Sequence, residues 1–311
     1  MYHRLFRLQK RCCFAAFASL LIPVAAVAQS SSPAPDYHPT VGIQQEDLAV
    51  ARSHFETKIQ RRGPPPAEWD DMITPAGARE IVYVSGTLQL KAWINTPVSS
   101  DLGKRPAVLF LHGGFDLEAD AWDSTRPFRD AGYIVMTPTT RGENGQHGVF
   151  TMYYDEVADV LRAADYLRAE LLVDPKRVFV MGHSVGGTLA LLAAEIYPYF
   201  RGAVSVSGSP DQALYLKYAK GATLNAPFDP NDALEVQIRS PLAYAASIKC
   251  PARLFYGTQE TYYAFTTPRL AEIAREHGID AQVRAVEGDH ASNLTTSIKL
   301  ALEFFQKLQA K

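Results

Sequence analysis

The residues best placed to do chemistry form the pentapeptide Gly182-His183-Ser184-Val185-Gly186, followed at once by Gly187. It lies between an apolar stretch, Val178-Phe179-Val180-Met181, and an Ala/Leu-rich stretch from Val185 to Ile196. Such a G-x-S-x-G strand–turn–helix places a serine in a strained turn. Glycines stand two residues to either side because strand and helix backbones pass too close there for a β-carbon. The hydroxyl is lifted above the sheet at a helix N-terminus, where backbone N–H groups and the helix dipole favour negative charge. The chemistry this supports is nucleophilic acyl transfer.

A serine hydroxyl is a weak nucleophile at neutral pH and needs a base that is itself oriented by an acid. The elbow predicts the chain order Ser, acid, His. Of the eight histidines, His290 follows Glu287-Gly288-Asp289 in the turn before the last helix and is the candidate base. His277, before Gly278, reads as a helix-end residue. The acid belongs on the loop after the strand at Ala252 to Tyr256, where Gly257-Thr258-Gln259-Glu260 makes Glu260 the candidate. Asp211, in Ser209-Pro210-Asp211, is the rival acid, and Asp289 reads as a turn or capping residue.

Acyl transfer puts negative charge on an oxygen, and each donor already aimed at it is worth roughly 3 kcal/mol of barrier. The N–H of Val185 is one expected donor. The second is expected from His112-Gly113-Gly114-Phe115, with Gly114 favoured and Phe115 the alternative. His112 is expected to knit that loop rather than act as a base. Phe115, Tyr153 and Tyr154 are the candidate substrate-binding residues, with Trp122, Tyr215, Tyr218, Phe228 and Tyr244 as further aromatics for a pocket wall. No G-x-G-x-x-G, P-loop, H-E-x-x-H or C-x-x-C pattern occurs, so neither a cofactor nor a metal is expected.

Positioning these residues requires a sheet with ligands at the carboxyl ends of its strands. From Ala107 onward, short apolar runs alternate with helical periodicity, for example Val157, Val160, Leu161, Ala164 and Leu167. That alternation implies an α/β fold, a mostly parallel twisted sheet with helices on both faces. Two antiparallel entry strands are expected around Ile81–Val84 and Leu88–Asn95. Residues 79–311 form the expected catalytic domain, with 209–248 as a candidate lid insertion. Residues 29–78 read as a flexible Pro/Ser-rich leader with one short helix, Glu46 to Gln60, and the helix before the last strand is expected from Pro268 to His277.

The first 28 residues differ in kind. Arg4, Arg7, Lys10 and Arg11 precede an apolar run from Cys12 that ends in Ala26-Val27-Ala28 before Gln29. This is the pattern of a cleaved secretory signal peptide, which predicts an exported, periplasmic or secreted product. Cys12 and Cys13 leave with it, and Cys250 then stands alone as a packing residue. A formal charge of −2 over 311 residues provides no whole-chain basic field for nucleic acid. The expected partner is a small-molecule ester or a short peptide, and no stable membrane span is expected after cleavage.

From about Ile81 to Leu308 the chain resembles the α/β-hydrolase superfamily, in its prolyl-oligopeptidase-like (S9) and dienelactone-hydrolase-like branch. Pro106 to Gly114 resembles the oxyanion strand, and Arg141-Gly142-Glu143-Asn144-Gly145 the Arg-Gly loop. Val173-Asp174-Pro175-Lys176-Arg177-Val178 resembles the run-in to the elbow strand, and Ser240-Pro241-Leu242 with Ile248-Lys249-Cys250-Pro251 the approach to the acid strand. The resemblance implies a serine hydrolase, either a peptidase or an esterase, with Ser184 as nucleophile, Glu260 as acid and His290 as base. Glu260 departs from the aspartate usual there. A catalytically silent binding scaffold is the other class of function the fold would allow.

Overall fold

The computed structural model describes residues 37–69, 71–96, 103–219 and 222–310. The expected signal peptide and the start of the leader lie outside them. Eight strands form one sheet: β1 Ala78–Ser85, β2 Leu88–Asn95, β3 Arg105–Leu111, β4 Ile134–Pro138, β5 Val173–His183, β6 Gly202–Val206, β7 Ala252–Gly257 and β8 Ala281–Val286. Their order is β1-β2-β4-β3-β5-β6-β7-β8. The β1–β2 and β2–β4 pairs are antiparallel, and every other pair is parallel. The chain has the α/β-hydrolase fold expected from the alternation of its apolar runs.

The helices are α1 Leu48–Ser53, α2 Ala119–Ser124, α3 Arg126–Asp130, α4 Asp155–Ala169, α5 Val185–Ile196, α6 Gln212–Tyr218, α7 Ala222–Asn225, α8 Ala233–Gln237, α9 Thr261–Glu276 and α10 Asn293–Gln309. Because side chains alternate across a strand, the central strands feed two cores. Ala107, Leu109, Leu111, Val178 and Val180 pack in one core with Val157 and Val160 of α4 and Leu189 and Leu192 of α5. Val108, Phe110, Phe179 and Met181 pack in the other with Phe304, Phe305 and Leu308 of α10. Phe179 and Phe305 stack at 4.4 Å between ring centroids. The sheet is thus buried on both faces, which holds the carboxyl ends of β5, β6, β7 and β8 in fixed register.

Four expectations need correction. The leader from Tyr37 onward is tied to the domain: Thr57 Oγ1 and Lys58 N donate to Glu235 at 2.8 and 2.5 Å, and Gln60 N donates to Pro227 O at 2.7 Å. Those contacts pull the chain out straight after Ser53, so its helix spans only Leu48–Ser53 and not Glu46 to Gln60. In the 209–248 stretch, expected as a lid insertion, the described residues from Glu235 to Ile248 are packed into the domain. Arg239, fully buried, ion-pairs with Glu235 at 2.6 Å, donates to Thr151 O and stacks on Phe228. Finally, α9 begins at Thr261 and runs through Pro268. Its buried face of Tyr262, Leu270, Ala271, Ile273 and Ala274 outweighs the one backbone bond that proline removes.

Candidate active site

Ser184 links β5 to α5 with φ 55° and ψ −117°, a strained left-handed conformation for a side-chain-bearing residue. Close packing enforces it. A Cβ on Gly182 would lie 2.0 Å from Gly186 O, and one on Gly186 would lie 2.2 Å from Leu111 O. Ser184 N donates to Val206 O at 2.9 Å and Gly186 N to His112 O at 3.0 Å, pinning the turn to β6 and to the loop after β3. Val185, as the first residue of α5, carries an amide that helix geometry leaves without an intrahelical acceptor.

The loops after β7 and β8 bring two further groups to this turn. Ser184 Oγ donates to His290 Nε2 at 2.8 Å, and His290 Nδ1 donates to Glu260 Oε1 at 2.6 Å. The other carboxylate oxygen of Glu260 accepts from Gly257 N at 2.5 Å, Ser207 Oγ at 2.6 Å and Asn293 Nδ2 at 3.2 Å. Burial pushes this carboxyl up, but the bonds from His290, Ser207 and Gly257 outweigh it and hold the group below its ordinary value. Glu260 is therefore an ionised, fully ligated carboxylate at neutral pH. Its longer arm does reach the imidazole.

Asp211 is occupied elsewhere. Its oxygens accept from Tyr37 Oη at 2.5 Å, Thr40 N at 2.9 Å and Leu214 N at 3.0 Å, so it caps α6 and anchors the leader. Asp289 accepts from Ala291 N and Ser292 N in its own turn. His277 bonds Ile273 O at 2.9 Å at the end of α9. His112 is buried between Gly113 O at 3.1 Å and Glu143 Oε2 at 3.3 Å. Burial works against its charge, but the Glu143 carboxylate outweighs burial and raises its pKa.

A cavity of about 300 Å³ opens on Ser184 and His290 and is lined by Gly113, Gly114, His183 and the acidic trio Asp116, Glu118 and Asp120. Gly114 adopts φ +73°, a conformation that favours glycine. The three aromatics expected to bind substrate are not in this lining. Phe115 turns away to pack edge-on against Phe150 at 5.1 Å. Tyr153 is buried in the core. Tyr154 donates to Phe55 O at 2.6 Å and lies beneath the guanidinium of Arg52, so it fastens the leader. Trp122, Phe228 and Tyr244 are core. Tyr263, which the sequence does not single out, stacks on His290 at 5.8 Å between ring centroids.

Four contributors escaped sequence reasoning: His183, Ser207, Tyr263 and Asn293. Tyr263 lies ahead of Pro268, where the sequence predicts that helix to start, and so carries no signal of facing the site. Ser207, held at φ 49° just after β6, and Asn293, wholly buried at the start of α10, acquire their roles only when β6, β7 and β8 are side by side. Among the described residues, no group of three or more His, Cys, Asp or Glu is arranged to hold a metal ion. No helix among them is long and apolar enough to cross a membrane.

Comparison with known proteins agrees with this architecture. The model of the prolyl oligopeptidase family matches residues 104–289, more than half of the chain. Poly(3-hydroxyalkanoate) depolymerase C of Paucimonas lemoignei is 29% identical over 120 residues, covering 34% of this chain and 28% of that protein. An uncharacterized peptidase of Bacillus subtilis (strain 168), YtmA, is 25% identical over 217 residues, covering 65% and 78%. Among solved structures, Pyrococcus horikoshii acylaminoacyl peptidase superposes with a TM-score of 0.65 at 20% identity, over 74% of this chain and 41% of that one. Thermogutta terrifontis esterase 2 superposes with a TM-score of 0.60 at 23% identity, over 75% and 93%. The chain therefore spans well under half of both the depolymerase and the acylaminoacyl peptidase.

Proposed function

The chain belongs to the prolyl oligopeptidase family, and from that premise we propose that it is an exported serine hydrolase cleaving small esters or short-peptide amides through an acyl-enzyme on Ser184. The observation that carries this reading is the unbroken run of hydrogen bonds from Ser184 Oγ through His290 to Glu260.

In the proposed reaction, His290 Nε2 takes the Ser184 proton as Oγ bonds to the substrate's carbonyl carbon. The resulting oxyanion receives the N–H groups of Val185 and Gly114. His290 then gives its proton to the departing alcohol or amine as the tetrahedral species collapses to the acyl-enzyme. Water, deprotonated by the same nitrogen, releases the acid and restores the serine. Glu260 keeps the proton of the neutral imidazole on Nδ1 and stabilises the imidazolium while it lasts. Tyr263 covers one face of the ring and restricts its rotation.

A cavity of about 300 Å³ is at the small end of ligand pockets and supports a short acyl or leaving group. A carboxylesterase acting on small esters is the alternative within this class, supported by the same small cavity. Hydrolysis of p-nitrophenyl butyrate compared with dipeptide and tripeptide p-nitroanilides tests the proposal. Turnover of at least one class, blocked by a serine-directed inhibitor, is the expected outcome, and inertness towards both contradicts it. For export, the expected result is a secreted or periplasmic product beginning at Gln29, whereas an exported product retaining Met1 counts against cleavage.

A further inference from the structure

His183, the residue between Gly182 and the serine, has no role in the reaction as described, yet its ring lines the same cavity as Ser184 and His290. Its Nε2 stands 2.8 Å from the backbone carbonyl oxygen of His290. A carbonyl oxygen only accepts, so Nε2 is the donor. The two rings lie 5.0 Å apart between centroids, tilted by 40°. Its other ring nitrogen lies beside the loop after β3, close enough that a Cβ built on Gly113 would stand 3.0 Å from His183 Nδ1. Burial lowers the pKa of His183, which keeps the ring neutral with its one proton on Nε2.

The carbonyl needs such a partner. His290 sits in the turn between β8 and α10, beside Gly288 at φ +122°, and its imidazole acts only if that turn holds it over Ser184. Asn293 Nδ2 reaches the same carbonyl at 3.4 Å, the long limit of a hydrogen bond, while spending itself on Asp289 O at 2.6 Å. His183 supplies the short, direct contact.

We infer that His183 is a positioning residue: its Nε2–H pins the His290 backbone so that the imidazole stays aimed at Ser184 Oγ, while its Nδ1 edge leaves room beside Gly113 for nothing larger than glycine and so limits the oxyanion loop. One side chain adjacent to the nucleophile thereby bears on both the base and the loop that carries the Gly114 donor. Misplacing a reacting group by about 1 Å costs on the order of 100-fold in rate, so the loss of this contact is read in turnover more than in binding.

The inference rests on the functional reading above and is tested by three substitutions. His183→Phe keeps a ring against Gly113 but has no donor. His183→Gln places an amide N–H at the same number of bonds from Cα as Nε2, and His183→Asn places one a bond short. With p-nitrophenyl butyrate, Phe and Asn are expected to lower kcat by about 10- to 100-fold with KM within about twofold. Gln is expected to return kcat to within about threefold of wild type. A merely structural role would lower thermal stability without this split between kcat and KM and without rescue by Gln. Should His183→Phe fail to fold, Asn against Gln gives the same comparison. If wild type is active through Ser184 and Phe matches it within about twofold, or Gln falls as far as Phe, the His183 inference is overturned alone. If wild type has no Ser184-dependent activity, the functional reading falls and takes this inference with it.

Discussion

Ser184→Ala and His290→Ala are each expected to reduce kcat by about 10⁶-fold, and the double variant to be no slower than either single one. The expectation follows from the 2.8 Å contact between Oγ and Nε2. The serine attacks only as its proton leaves, and the imidazole has no task once the hydroxyl is gone, so the two act as one unit whose losses do not add. Both side chains line an open cavity rather than the core, so the variants should fold as wild type does. Steady-state kinetics on the best ester, with thermal melting as a control, checks this. Two independent losses that multiply in the double variant would show that the pair does not work as a relay.

Glu260→Gln is expected to lower kcat by about 10⁴-fold through the imidazole tautomer. Three donors, Gly257 N, Ser207 Oγ and Asn293 Nδ2, converge on Oε2 and demand an acceptor there. A glutamine must therefore leave its oxygen with them and turn its NH₂ towards His290 Nδ1. That nitrogen then has to accept, the ring proton moves to Nε2, and the base can no longer receive the serine proton. Asp211→Asn should leave kcat within a few-fold, because the Asp211 carboxylate serves Tyr37, Thr40 and the start of α6. Its effect should appear in thermal stability instead. A larger kcat loss in Asp211→Asn than in Glu260→Gln would reverse the assignment of the acid.

The parts of this molecule legible in its sequence are those dictated by local physics. The strand–turn–helix at Ser184 is visible because overlap at Gly182 and Gly186 is a matter of neighbouring backbone, and the two-sided burial of β3 and β5 is visible as unbroken apolar runs. The positions of Glu260 and His290 after successive strands follow from the order of elements alone. What was not legible depends on tertiary neighbours. An aromatic side chain looks the same whether it lines a pocket or clamps a cation, and Tyr154 does the second because Arg52 and Arg239 arrive from distant segments. The Pro-rich stretch before β1 reads as flexible when taken alone, yet Thr57 and Lys58 find the buried Glu235 some 180 residues away. Ser207 and Asn293 carry no motif, and their convergence on Glu260 exists only in the assembled sheet.

The most direct measurement is the site of covalent capture by a fluorophosphonate. Intact-mass and peptide mass spectrometry of the treated protein should show one adduct, on Ser184, formed rapidly in wild type and by orders of magnitude more slowly in His290→Ala. An unmodified wild-type protein, or an adduct on another residue that persists in Ser184→Ala, would contradict the account.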